Sequence, residues 1–381
     1  MKKTLFIALA MLAAAAGAEL KVDIEREGAA AKMAVSIEVA GNDAFAKSLR
    51  RNLELTGLFK VRPDGAIRVR GGIGERIAAE GMGKVVSFVS RASDAKSARN
   101  EARLLANKMC ETYSQQRGCA TDQIVFVRKD GRAEEIFTCY PDGYDIMQLT
   151  RDGKEAVGPR WKDSRTIFYT GFLGAGPQIF ELDTATGRRR MKWSFKGLTT
   201  GATISPDGRK AAIILSFHGN PELYVIDIER GTWVRLTTTP NASEGQPAWS
   251  PDGRQIVYVS DETRRPQLYV IDVATKHKRR LTSKGAQNVD PDWGVDGKIA
   301  YITKRGGLSQ VAIIDPAAGE GSVRLVTNPG SWEHPSWSKD ARHVIASRDK
   351  ALFIVDTLED GDAPSRLFMN NGNWITPSWK K

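Results

Sequence analysis

The chain has 381 residues, 41% hydrophobic and 27% charged, the balance of an ordinary globular protein with enough apolar material for a sizeable core. That composition excludes a disordered chain, a collagen-like fibre and a disulfide-stapled miniprotein. A net charge of +11 favours anionic surroundings without bearing on fold, and 4 histidines against 9 tryptophans leave little for metal or histidine chemistry.

In chain order, Lys2 and Lys3 precede an apolar run from Leu5 to Ala16, closed by small residues at Ala16 and Ala18. This is the pattern of a secretory signal peptide over residues 1–18, cleaved after Ala18. Its run of about a dozen apolar residues falls short of the roughly 20 that span a membrane. A soluble exported protein starting at Glu19 is expected, less basic by the loss of Lys2 and Lys3. No cysteine precedes Cys110, so no lipidated N-terminus is expected.

Residues 19–120 read as a small α/β domain in which two helices cover one sheet. Leu20–Ile24 and Met33–Val39 alternate as strands. Asn42-Asp43 caps a helix that carries Phe45, Leu49 and Leu53 at intervals of four and ends at Gly57. Ile67–Arg70 and Lys84–Ser90 are expected to pair around a glycine-rich turn. A second helix starts near Ser93-Asp94 with Ala98, Ala102, Leu105 and Met109 on one face. Gly72-Ile73-Gly74 lacks the third glycine and the following helix of a phosphate loop, and a hairpin turn is the better reading. Gly118 is expected to end the second helix and return the chain, which would pair Cys110 with Cys119 in an oxidising compartment. The alternative is that Cys110, Cys119 and Cys139 are three buried, inert small hydrophobes.

Residues 121–381 are periodic. Trp161, Trp249, Trp293, Trp337 and Trp379 share the context Pro-x-Trp, and Ile204 holds the same register; successive positions are 43, 45, 44, 44 and 42 residues apart. Such a period signals a solenoid or a propeller. After each register position comes a turn such as Ser250-Pro251-Asp252-Gly253-Arg254, in which Pro presets φ, Asp bonds the local backbone and Gly supplies an unusual dihedral. Gln255–Ser260, Gln267–Asp272 and a short strand ending at Thr282 follow, giving four antiparallel strands per period, one propeller blade. A second landmark, the aspartate ending the third strand, recurs at Asp145, Asp183, Asp227, Asp272, Asp315 and Asp356. The strands from Gln123 to Thr150 lack an inner strand, whereas Ile375–Lys381 is an inner strand without a blade. The expected fold is therefore an α+β N-terminal domain followed by an all-β six-bladed propeller, closed by sharing one blade between both ends, which leaves no open edge. The tryptophans are expected to fill the core between blades and the aspartates to cap turns.

No Gly-x-Ser-x-Gly elbow occurs and no hydrolase domain is expected beyond the propeller, so a propeller peptidase is not expected. His218, His277, His334 and His343 lack metal-ligand spacing, and no cysteines have zinc spacing. One polar constellation remains. Thr199, Thr200, Glu244, Gln246, Asn288, Asp290, Glu333 and His334, just before the inner strands, are expected to ring one mouth, where loops on a rigid scaffold gather sites. Such a ring suits a protein, a metal or a small substrate. The basic runs Arg188-Arg189-Arg190 and Lys276–Arg280 fall at outer hairpins of neighbouring blades, and solvated edges are expected there; export argues against nucleic acid.

The Ser-Pro-Asp-Gly turns, Leu268-Tyr269-Val270-Ile271-Asp272, the start Glu19–Ile24, the finish Pro377-Ser378-Trp379, Gly285-Ala286-Gln287-Asn288 and Asp142-Gly143-Tyr144 together resemble the TolB family of periplasmic propellers of Tol-Pal systems. The resemblance covers essentially the whole mature chain. It implies a non-enzymatic periplasmic adaptor without cofactor or metal, monomeric when free. It further implies that the eight mouth residues contact the peptidoglycan-associated lipoprotein Pal, and through it the outer membrane, and that Glu19, Leu20, Lys21, Val22, Asp23 and Ile24 engage TolA. Outer-membrane integrity and invagination during cell division would be the roles served. The competing expectation is an exported propeller enzyme, a lactonase or glycan-processing protein, with Glu244, Asp290, Asp292 and Glu333 around a divalent cation in the channel, since oxygen ligands suit calcium or magnesium.

Overall fold

Between Met33 and Met109 the amphipathic segments fold as their capping residues dictate. A computed structural model describes residues 32–381 except 175, 359–363 and 371. The expected signal peptide, residues 1–18, and the segment Glu19–Ile24 lie outside the described residues. Strand β1 (Met33–Ala40) leads into α1 (Asp43–Leu55). The Asn42 side chain accepts the Ala44 N–H at 2.8 Å, a cap that contributes about 1 kcal/mol. Phe45, Leu49 and Leu53 are fully buried. In α2 (Ala95–Met109) a reciprocal Asp94–Ser97 capping box fixes the start, and Ala98, Ala102, Leu105 and Met109 are buried.

The sheet under these helices has five strands, β2 (Phe59–Val61), β1, β3 (Ile67–Gly72), β4 (Arg76–Gly81) and β5 (Lys84–Val89), in that order. The expected direct pairing of Ile67–Arg70 with Lys84–Ser90 is therefore corrected: β4 stands between them. Its sequence, Arg-Ile-Ala-Ala-Glu-Gly, carries one large apolar residue, Ile77, and so little alternation to read. Gly72-Ile73-Gly74 does turn a hairpin, from β3 to β4. Gly71, at φ +132°, is required there, since a Cβ would lie 2.2 Å from the Arg76 carbonyl oxygen.

Six four-stranded blades follow. Their inner strands are Ala156–Trp161, Thr199–Ile204, Glu244–Trp249, Gln287–Trp293, Trp332–Trp337 and Trp374–Trp379, numbered blades 1 to 6. All six register positions end an inner strand. Blade 6 takes its other three strands, Ile124–Asp130, Ala133–Cys139 and Met147–Gln148, from the start of the propeller, with Trp379 opposite Ile124. The cores lie between blades: Val257, Val259, Leu268 and Val270 of blade 3 pack with Trp293, Ile299, Tyr301 and Ile314 of blade 4. The Trp249 indole N–H reaches the Thr203 carbonyl of blade 2 at 3.1 Å, and the Trp161 N–H reaches the Ser378 carbonyl of blade 6 at 3.2 Å. The Trp161 and Trp249 rings thus fasten blades 1 and 3 to the blades before them, whereas the Trp293 indole bonds within its own blade, to the Gly297 carbonyl.

The turn chemistry repeats as expected. Ser250 Oγ donates to Asp252 Oδ1 at 2.6 Å, the Arg254 N–H donates to the same oxygen at 3.0 Å, and Ser205 and Asp207 do the same in blade 2. The aspartates Asp183, Asp227, Asp272, Asp315 and Asp356 accept backbone N–H groups two residues on. Asp145 does not: in blade 6 that role belongs to Asp142, which accepts the Tyr144 N–H at 3.2 Å, while Asp145 pairs with Arg99 and Arg103. The basic runs sit on blades 1 and 3, which are separated by blade 2 rather than adjacent. Their exposed cations are partly answered locally, Arg190 by Glu181 at 2.6 Å and Lys278 by Glu262 at 2.5 Å.

The α/β layers are joined to the propeller by a buried ion cluster. Arg103 of α2, fully buried, makes two hydrogen bonds of 2.9 Å to Asp142. Ser48 Oγ and Asn52 Nδ2 of α1 donate to the same carboxylate at 2.6 and 3.2 Å. The expected Cys110–Cys119 bridge is not formed; all three cysteines are buried free thiols. Gly118 does not end the helix. A single π-turn, Cys110–Ser114, extends it to Gln115 in the left-handed region. The returning chain is held by Asn107, whose side chain accepts the Ala120 N–H at 2.9 Å and donates to Thr121 at 2.8 Å. Burial pushes the Cys110 thiol up to about 12, so in the folded protein it stays a protonated, unreactive thiol.

Candidate functional site: the propeller mouth

Each inner strand contains one residue in the left-handed region, three positions before its register residue: Gly158, Gly201, Gln246, Asp290, His334 and Thr376, with φ between +45° and +70°. The strand pairing shifts register at the same places, so each is a β-bulge that re-aims a side chain. Five of the six precede proline, which bars the α-helical conformation for the residue before it. Four are not glycine, and local strain of about 1–3 kcal/mol apiece is carried by the surrounding sheet.

Three of those four form a row across neighbouring blades. The Gln246 amide donates to Asp290 Oδ1, and the Asp290 N–H donates back to Gln246 Oε1 at 2.9 Å. The other carboxylate oxygen, Oδ2, accepts the His334 N–H at 3.1 Å and lies 3.2 Å from His334 Nδ1. Burial works against both charges, but the pair prevails: Asp290 is held below its ordinary carboxylate range and His334 above its ordinary imidazole value. In the preceding blades Thr200 Oγ1 lies 3.2 Å from Thr170 Oγ1.

The eight mouth candidates open the inner strands rather than precede them, and they divide. Gln246 and Glu333 are exposed, and Thr200, Asp290 and His334 are half-buried. Thr199, Glu244 and Asn288 are buried in the blades, corrections that follow from the bulge, which breaks the twofold alternation between them and the residues that follow. Asn288 Nδ2 is spent on Gln267 Oε1 at 2.7 Å and the Lys284 carbonyl at 2.8 Å. Neither Glu244 carboxylate oxygen has a hydrogen-bond partner, and burial pushes that acid up to about 7. Sequence reading missed Thr376, whose signal was available: it stands before Pro377 in the same register as Gln246.

The four acids proposed for a cation do not converge. Glu244 is inside blade 3, Asp290 is engaged by Gln246 and His334, and Asp292 is held by the Trp337 N–H at 2.7 Å and by Lys381 at 2.7 Å. Among the described residues the cluster of three metal-capable side chains is Cys119, Asp340 and His343 instead. There Asp340 already takes His343 Nδ1 at 2.6 Å together with Ser338 Oγ and the Arg342 N–H. This group belongs to the blade 5 turn that packs under the α/β layers, at the opposite end of the inner strand from His334.

A six-bladed propeller with a polar, bulge-lined mouth and an α/β region anchored near the other end of the strands defines a scaffold that presents a fixed surface. The family described as "TolB beta propeller domain" matches residues 110–381, and the chain belongs to that family. A Tol-Pal system protein TolB of Francisella tularensis subsp. tularensis is 27% identical over 251 residues, which are 63% of this chain and 58% of the relative. The match thus spans just under three-fifths of that relative's length. Among solved structures, TolB from Acinetobacter baumannii superposes with a TM-score of 0.81 at 22% identity, over 93% of this chain and 98% of the other. A putative TolB from Agrobacterium tumefaciens gives 0.50 at 20% identity over 65% and 88%. At these identities the structural likenesses establish the fold. Among the described residues no helix is long and apolar enough to cross a membrane.

Proposed function

We propose that this chain is the periplasmic adaptor of a Tol-Pal envelope complex, binding Pal at the propeller mouth and TolA through Glu19–Ile24. Family membership supports the system. The Gln246–Asp290–His334 row supports the mouth: three side chains from three blades are fixed relative to one another before any partner arrives, which lowers the ordering cost of association. Glu333, exposed beside them, is a rim contact, and Thr200 extends the ring. The reading is of a binding scaffold without catalysis, supporting outer-membrane integrity and invagination at division. Residues 1–18 would be the export signal, 19–120 the α/β domain and 121–381 the propeller. Calorimetric titration of the mature protein with Pal tests it. Changing Gln246, Asp290 and His334 together to Ala should weaken binding at least tenfold, about 1.4 kcal/mol, while the variant still unfolds cooperatively in urea, at a shifted midpoint. Undiminished affinity would place the Pal surface elsewhere. Deleting Glu19–Ile24 should spare Pal and reduce TolA binding, and equal loss of both would refute the division of labour.

A further inference from the structure

At the ends of the inner strands remote from His334 the channel widens into a cavity of about 330 Å³, within the size range of small-molecule sites. Trp161, Trp249, Trp293 and Trp379 line it. Their indole N–H groups donate to the carbonyls of Ser378, Thr203, Gly297 and Asp122, so what they offer the cavity is apolar ring surface. The two charged residues one position before the register are Arg160 in blade 1 and Asp292 in blade 4, three blades apart and hence on opposite sides of a ring of six. Asp292 is fully engaged, by the Trp337 N–H, Ser336 Oγ and Lys381. Arg160 is not. Its one hydrogen bond runs to the carbonyl of its own neighbour, Pro159, at 3.1 Å; its charge helps to hold Asp290 ionised, but among the described residues no carboxylate lies within ion-pair distance of it. Lys339, also lining the cavity, likewise has no carboxylate within ion-pair distance among the described residues.

Arg160 and Lys339 thus bring two cations to the cavity wall with no carboxylate within ion-pair distance of either among the described residues, a charge balance that favours an anionic ligand. We propose that this cavity binds a small organic anion, its carboxylate or phosphate head on Arg160 and Lys339 and its apolar body against the tryptophan rings. Arg160 presents the planar fork that receives such heads through paired hydrogen bonds. The site is separate from the partner surface and does not depend on it. The two ends of the channel nonetheless sense each other, because the Arg160 cation opposes protonation of His334. An anion on Arg160 would neutralise that field and raise the His334 titration midpoint further.

Calorimetry on the mature chain with benzoate, inorganic phosphate and sodium chloride as separate titrants tests this. Saturable binding of benzoate to one site is expected, with Arg160→Gln weakening it at least tenfold, about 1.4 kcal/mol. Lys339→Gln should weaken it less, and Lys276→Gln on the outer hairpin should leave it unchanged. Arg160→Lys keeps the charge without the fork and should retain part of the affinity, which separates loss of the ligand from loss of the fold. Raised His334 titration on adding benzoate to the wild type, absent in Arg160→Gln, is the second expected readout. Binding of phosphate alone would refute the role of the tryptophan walls. No saturable heat from either anion, or equal binding by Arg160→Gln, would overturn the site.

Discussion

Asp142 offers the sharpest test of how the α/β layers are held to the propeller. Its side chain is fully buried and accepts two hydrogen bonds from the Arg103 guanidinium and one each from Ser48 and Asn52. Removing one partner of a buried ion pair costs about 3–5 kcal/mol, because the remaining charge stays desolvated. Arg103 keeps Asp145 at 2.8 Å and Asn100 at 2.9 Å, which holds the charge term near the lower end. The stranded Ser48 and Asn52 donors add about 1 kcal/mol each. Asp142→Ala should therefore destabilise the joint by about 3–5 kcal/mol, and at a urea slope of about 1–3 kcal/mol per molar lower the midpoint by at least about 1 M. Replacing both partners, Arg103→Met with Asp142→Leu, removes both buried charges and should recover at least half of that loss. A single substitution within 1 kcal/mol of wild type, or a double one no better than Asp142→Ala, would refute the reasoning.

Three further outcomes follow from the mouth and its blades. His334, whose imidazole is held above its ordinary value, contributes stability that is fully present below the unfolded pKa of about 6.5 and is lost as pH rises through the folded value. NMR should show its midpoint above that of a free histidine, and Asp290→Asn should bring it down; an unmoved midpoint would deny the pairing. Glu244, raised to about 7 by burial, is protonated when folded at pH 5, so stability should fall as pH climbs from about 4.5 to 7. Glu244→Gln should flatten that fall and be the more stable protein at pH 8, by at most about 3 kcal/mol, as read from urea melts at the two pH values. Thr376 is β-branched at φ +45° and its hydroxyl has no partner. Thr376→Gly should raise the melting point, the gain reaching about 1 kcal/mol at most, and a lower melting point would mean that the bulge is not strained.

The sequence by itself determined the architecture. Pro-x-Trp at a period near 44 and the Ser-Pro-Asp-Gly turn fix where inner strands end, because both act within a few residues of themselves, and the blade shared by the two ends follows from counting strands. The helices of the α/β region were equally readable from Asn42 and Asp94 as caps and from the spacing of Phe45, Leu49 and Leu53. What resisted reading lay where distant segments meet. Arg103 sits on the same face of α2 as Ala102 and Leu105, and nothing local says that a cation there is buried; Asp142, 39 positions on, decides it. Asp145 kept the period roughly and still lost the capping role, because α2 claims it. Cys110 and Cys119 lie near in sequence, but a π-turn and the Asn107 hydrogen bonds set the chain's return. At the mouth the residue types were legible and their orientation was not: a bulge inverts the alternation, so that Glu244 goes inward while Gln246, Asp290 and His334 face one another. Local interactions determine elements and periods, whereas charge partners, side-chain direction and the opposition of Arg160 to Asp292 across the ring exist only once six blades have closed.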